Sequence, residues 1–153
     1  MTNYPQRADF VTLTPVLRAQ LEAAGFRVRA ETVENITAHI QQKRFDVAFW
    51  TSHTAPGGDP GFLLEQYARS TAPLNVMGWR SAPLDALLDR LRETEGADAR
   101  AALARDAQRL VLDGAAIVPL LTPVWHVGLS RRLAGYEPFP SDYYIVRADL
   151  AVR

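Results

Sequence analysis

Between Asp9 and Ser52 the apolar residues change period repeatedly, and this alternation restricts the fold more than any other feature of the 153-residue chain. Phe10, Leu13, Leu17 and Leu21 recur at intervals of three and four, which places them on one face of a helix over 9–24, with Gly25 as its C-terminal stop. Pro15 has no N–H to give to a preceding turn, so the regular part of that helix is expected to begin near Thr12 or Thr14. The run FRVRAETV, residues 26–33, alternates apolar and polar in its first half, as a strand with one wet face does. Ile36 and Ile40 mark a short helix over 35–44, and FDVAFWTS, residues 45–52, is apolar enough for a buried strand. Helix, tight turn, strand, helix and strand in that order make an α/β unit.

The rest of the chain is more helical. Turn-forming residues gather in SHTAPGGDP, residues 52–60, a loop long enough to carry function, and a short helix is expected over 61–68. Leu84, Leu87, Leu88 and Leu91 stripe a helix starting at Pro83, and Leu103, Ala107, Leu110 and Val111 stripe another, from near Asp98 to Asp113-Gly114. These two predict a helical pair. AAIVPLL (115–121) and WHVGLS (125–130) read as extended segments around Thr122-Pro123, and Tyr143 to Val146 as a last short strand.

Composition removes several functions. Hydrophobic residues make up 48% and charged residues 22%, ordinary for one globular domain over 1–153. Seventeen basic residues, of which only Lys43 is a lysine, balance seventeen acidic ones, so no global field draws the chain to nucleic acid. Cysteine is absent, which excludes a disulfide framework, a thiol nucleophile and a thiolate metal site. The opening MTNYPQRADF lacks the basic and apolar regions of a signal peptide, and no apolar run approaches the roughly 18 residues needed to span a bilayer.

The strings LRAQLEAAGFRV (17–28), RFDVAFWTS (44–52) with Asp59-Pro60 after it, SAPLDALLDRL (81–91), RAALARDAQRLVLDGAAIVPLL (100–121) and VGLSRRLAGYEPFP (127–140) follow one another through nearly the whole chain. In this order they resemble the C-terminal part of the family-5 extracellular solute-binding proteins, the dipeptide, oligopeptide and nickel binders of ABC importers. The resemblance implies one α/β lobe of a type II periplasmic-binding-protein fold, incomplete because the N-terminal portion of the family fold is absent. The short Thr2-Asn3-Tyr4-Pro5 is similar to the exit of a family strand whose body would lie upstream of Met1. The function implied is capture of an oligopeptide or metal chelate between two lobes for delivery to an ABC permease. The partners implied are that permease and the missing N-terminal lobe, with no cofactor and no catalysis. The full-length parent would be periplasmic, or extracellular and membrane-associated. A lobe lacking its neighbours is also expected to self-associate.

The candidate ligand-binding residues are Trp50, His53, Asp59, Trp79 and Arg80. The loop 52–60 is expected to leave the strand ending at Trp50 at the carboxyl edge of the sheet, where open α/β folds bind ligands. In peptide-binding relatives an acidic residue of this loop pairs with the ligand's amino group, and in nickel-binding relatives a similar loop presents a Trp. Ala55-Pro56 is similar to the nickel type, but His53 stands where that Trp is expected. An imidazole there could donate to a carboxylate or ligate a metal chelate, or be a solvated loop histidine. Asp59 could pair with a ligand ammonium or cap the helix beginning at Pro60. Trp50 could wall the ligand or fill the core, and strand alternation turns Phe49 and Trp50 to opposite faces. Trp79 could line the cleft or pack beneath the loop, and Arg80 could meet a ligand carboxylate or remain solvated.

Other chemistries find little footing. His39, His53 and His126 are far apart with no H-x-x-x-H pair, G-x-S-x-G is absent, and Gly57-Gly58 lacks the Lys and Ser/Thr of a phosphate loop. Nothing nominates a nucleophile. Two rivals follow: a ligand-sensing lobe of a transcriptional regulator that borrowed this fold, and a metal-dependent hydrolase using His53 and Asp59.

Overall fold

The structure, a computed structural model, describes residues 1–54, 56–124, 126–134, 136–137 and 151–152. Two compact units divide it, residues 1–118 and 119–153. In the first, β1 (Thr2–Asn3) is followed by α1 (Ala8–Ala23), β2 (Glu31–Thr32), α2 (Ile36–Gln41), a π-helical turn (Leu64–Ala68), α3 (Ala82–Glu93) and α4 (Ala97–Asp113).

β1 is the centre of a small parallel sheet. Thr2 and Asn3 pair in parallel with Glu31 and Thr32 of β2 on one side, and Thr2 bridges Ala48 in parallel on the other. The ladder continues past the named strands: Glu31 N–H donates to the Met1 carbonyl, Val33 N–H to Asn3, Thr2 N–H to Val47 and Phe49 N–H to Thr2. The spatial order is therefore β2, β1, then the 47–49 segment, so the connection reverses direction after β2. The helices cover opposite faces, as such a reversal requires. Thr2 reaches His39 of α2 through its hydroxyl, whereas the next residue, Asn3, reaches Thr14 of α1. The α1 face is closed by stacked rings, Tyr4 edge-on to Phe10 and Phe10 against Phe49, each pair 5.2 Å between centroids.

The second core of this unit lies between α3 and α4. Leu84, Leu88 and Leu91 of α3, Ala104, Ala107 and Val111 of α4, and Leu64 and Ala68 of the π-turn are all buried, with Trp79, Leu87, Leu103 and Leu110 packed against them. Ser81 caps α3 by accepting the Leu84 N–H, and Pro83 sits in the first turn where its missing N–H costs nothing. The leucine stripes thus do what their spacing predicts.

Several expectations are corrected. α1 starts at Ala8 and carries Pro15 in its interior. The hydroxyls of Thr12 and Thr14 donate one turn back to the Ala8 and Phe10 carbonyls, adding hydrogen bonds around the break that proline makes in the backbone ladder. At its other end, Gly25 (φ +90°) donates to Glu22 and Phe26 to Leu21, the paired bonds of a left-handed C-terminal cap. The strand read over 26–33 shortens to Glu31–Thr32, because β1 offers only two residues for pairing. The run 45–52 is not a buried strand: it makes one bridge, and Val47 is half exposed. Residues 115–121 and 126–130 form no strand, and Val118, Leu121 and Val124 are exposed, since no partner ladder reaches them among the described residues. The strand read over Tyr143 to Val146 lies outside the described residues.

In the second unit β3 (Leu133–Ala134) pairs antiparallel with β4 (Ala151–Val152), Leu133 opposite Val152.

Candidate ligand-binding site

The segment that bridges β1 at Ala48 runs parallel to it, so the chain leaves it at the carboxyl edge, beside the reversal of strand order. That is where an open α/β sheet leaves a crevice. Phe49 is 4% exposed and Trp50 43%, so alternation sends the phenyl ring to the core and the indole outward, to the start of the loop. The Trp50 indole N–H donates to the Tyr67 hydroxyl at 3.2 Å. His53 is exposed in the loop, and its carbonyl accepts the Ser52 hydroxyl at 3.4 Å.

Asp59 closes the loop. One carboxylate oxygen accepts the Gly61 N–H at 2.8 Å, and the other accepts the Arg100 guanidinium, also at 2.8 Å. The Gly61 N–H, followed by Arg100, holds the Asp59 carboxyl below the usual carboxylate range. Asp59 therefore ends the loop as a cap for the turn starting at Pro60, and the same carboxylate is tied to α4.

Trp79 and Arg80 precede Ser81 in the turn that leads into α3. Trp79 is half-buried against the α3–α4 core, and its carbonyl accepts the Asn75 amide at 2.6 Å. Arg80 is exposed. Three of the candidates meet the helical layer: Trp50 with Tyr67, Asp59 with Arg100, and Trp79 with the core.

Tyr67, Arg100 and the ion pairs around Glu65 escape a reading of the sequence. Glu65 and Arg69 form a two-bond pair at 2.6 and 3.0 Å that also joins Arg92 and Asp89. The four-residue spacing of Glu65 and Arg69 is a legible signal for that pair. No local signal joins Arg100 to Asp59, 41 residues away. Elsewhere, a shallow depression of about 400 Å³ beside the carboxyl ends of β1 and β2 is lined by Tyr4, Gln6, Glu34, Asn35, Ile36 and Thr37. A second, of about 310 Å³, lies at the amino edge and includes Glu31 and His39, which approach to 3.2 Å. Among the described residues no cluster of three or more His, Asp or Glu could hold a metal ion.

No protein-family model matches the chain. Its backbone superposes on the nickel ABC transporter of Bacillus halodurans with a TM-score of 0.67 at 22% identity, over 75% of this chain and 24% of that one. It superposes on NikA of Staphylococcus aureus, solved in complex with Ni(L-His)2, with a TM-score of 0.70 at 19% identity, over 75% of this chain and 25% of that one. The fold is that of part of each of these two proteins. The α/β lobe of periplasmic-binding type read from the sequence is thus the observed fold class. In sequence, the chain is 20% identical over 150 residues to the nickel-binding protein NikA of Staphylococcus aureus, across 95% of this chain. It spans about 30% of that relative's length. The relatives carry the names of a nickel-binding protein and a nickel ABC transporter.

Proposed function

We propose that residues 1–153 supply the C-terminal lobe of the solute-binding component of an ABC importer, and that the loop 52–60 contributes to capture of a small metal chelate. The observation that carries this reading is the strand order, because it opens the 52–60 loop at the carboxyl edge beside the reversal. The likeness to NikA, crystallised with a nickel–histidine complex, favours a metal chelate over an oligopeptide, the second ligand class. His53 then contacts the chelate, through a carboxylate or as a neutral imidazole, while Trp50 and Arg80 flank it. A complementary N-terminal lobe completes the enclosure, and the permease receives the ligand on the extracellular side of the membrane. Trp79 acts from beneath, through its packing. Outside that assembly, the exposed Val118, Leu121 and Val124 favour self-association.

Calorimetric titration of the chain with nickel–bis-L-histidine and with a dipeptide tests the reading. Weak but saturable binding of the nickel complex is expected, because this lobe by itself leaves the ligand half exposed, and His53→Ala should weaken it further with the melting temperature unchanged. Absence of saturable binding for both ligands would remove the loop's role in capture.

A further inference from the structure

The loop is held at both ends by side chains of the helical layer. We propose that Tyr67 and Arg100 are positioning residues that fix the loop without touching ligand and thereby set its affinity, the affinity arm resting on the ligand-loop reading above.

The two anchors differ in kind. Tyr67 projects from the π-helical turn, whose neighbouring residues Leu64 and Ala68 are sealed in the α3–α4 core, so its hydroxyl is a fixed acceptor for the Trp50 indole N–H. Arg100 gives one terminal nitrogen to the carbonyls of Leu91 and Thr94, at the end of α3, and the other to Asp59. A planar guanidinium makes these three bonds from one preset geometry, which an ammonium on a flexible stem does not. The landing site is also shaped by packing: Gly61 is buried, and a β-carbon there would stand 2.8 Å from Leu91 Cδ2. Only glycine lets the chain lie this close to α3. Between the anchors, a β-carbon at Gly57 or Gly58 would meet no atom within 4 Å, so the loop is open around these two positions. The two anchors therefore restrain the course of the loop at its ends. A site held by its supports is tuned by those supports, even where they lie outside ligand contact.

The test uses the full chain in four forms: unaltered, Tyr67→Phe, Arg100→Met and Arg100→Lys. Hydrogen exchange is followed through 51–61 and, as an internal control, at the buried centre of α3 and α4. Tyr67→Phe removes one hydroxyl and leaves the ring, so it keeps the test decisive if Arg100→Met unfolds. Exchange in 51–61 is expected to quicken by about three- to tenfold in Tyr67→Phe and Arg100→Met, with the helix centres unchanged and Arg100→Lys intermediate. Affinity for nickel–bis-L-histidine should fall by the same factor. Unaltered loop exchange in both Tyr67→Phe and Arg100→Met overturns the proposal. Faster loop exchange with undiminished nickel–histidine affinity overturns its affinity arm. A chain that binds no nickel–histidine refutes the ligand reading instead, and loop exchange then decides the anchoring by itself.

Discussion

The indole of Trp79 lies so close over Gly114 that a β-carbon at Gly114 would stand 2.7 Å from Cζ2 and 3.0 Å from Cε2. Gly114 has φ −79° and ψ −4°, a conformation any residue adopts, so contact and not backbone freedom is what requires glycine there. The turn before α3 is thereby fastened to the end of α4.

Gly114→Ala should destabilise the chain by about 1–3 kcal/mol, the usual cost of forcing a methyl group into packed surroundings. In a Trp79→Phe background the same change should cost less than about 0.5 kcal/mol, because the atoms that clash are gone. Urea denaturation of the four chains measures this coupling. Additive effects would mean that the ring moves aside freely.

The left-handed position at the end of α4 falls to Ala115 (φ +48°), which donates to Leu112 while Ala116 donates to Val111. Glycine relieves the β-carbon penalty there, and Ala115→Gly should raise stability by about 1 kcal/mol, less the entropy it returns to the unfolded chain. A lower midpoint in urea would contradict the assignment of strain.

What the sequence made legible was local. The stripes Leu84, Leu88, Leu91 and Ala107, Val111 predict α3 and α4 because a helix brings residues three and four apart together, and these side chains form the core. The Gly25 cap was legible for the same reason. The sheet was not, since the lengths of β1 and β2 depend on pairing between residues 29 apart. Nor were the segments 115–121 and 126–130, whose apolar runs look alike whether or not a partner ladder exists. The loop 52–60 was located from its turn residues, but its anchors Tyr67 and Arg100 were not, because neither bond has a local pattern. Gly114 does stop α4, as its sequence position suggests, but the ring 35 positions upstream that demands glycine there has no local signal.

Acid should loosen both the end of the loop and the start of α1. The Asp59 carboxyl is held below its ordinary value by the Gly61 N–H and then Arg100, and Asp9 is held low by its hydrogen bond with Arg7. A lowered folded value means that these contacts stabilise fully above the unfolded pKa of about 3.9 and fade as the pH falls through the folded values. Stability should therefore decline as the pH is taken below about 4. Asp59→Asn should flatten that decline, by a small amount because the side chain is 55% exposed and well screened. Denaturation at pH 5 and pH 3 checks the sign, and a steeper acid loss in the variant would refute it.

The most direct measurement of the central claim is the paramagnetic broadening of backbone amide signals on adding nickel–bis-L-histidine, whose metal centre relaxes nearby protons. The account predicts that broadening concentrates in residues 50–59, with weaker loss at Trp79 and Arg80, and that a diamagnetic zinc–histidine complex leaves those signals in place. Broadening centred instead on Glu31 and His39 at the amino edge of the sheet, or spread evenly over the chain, would contradict it.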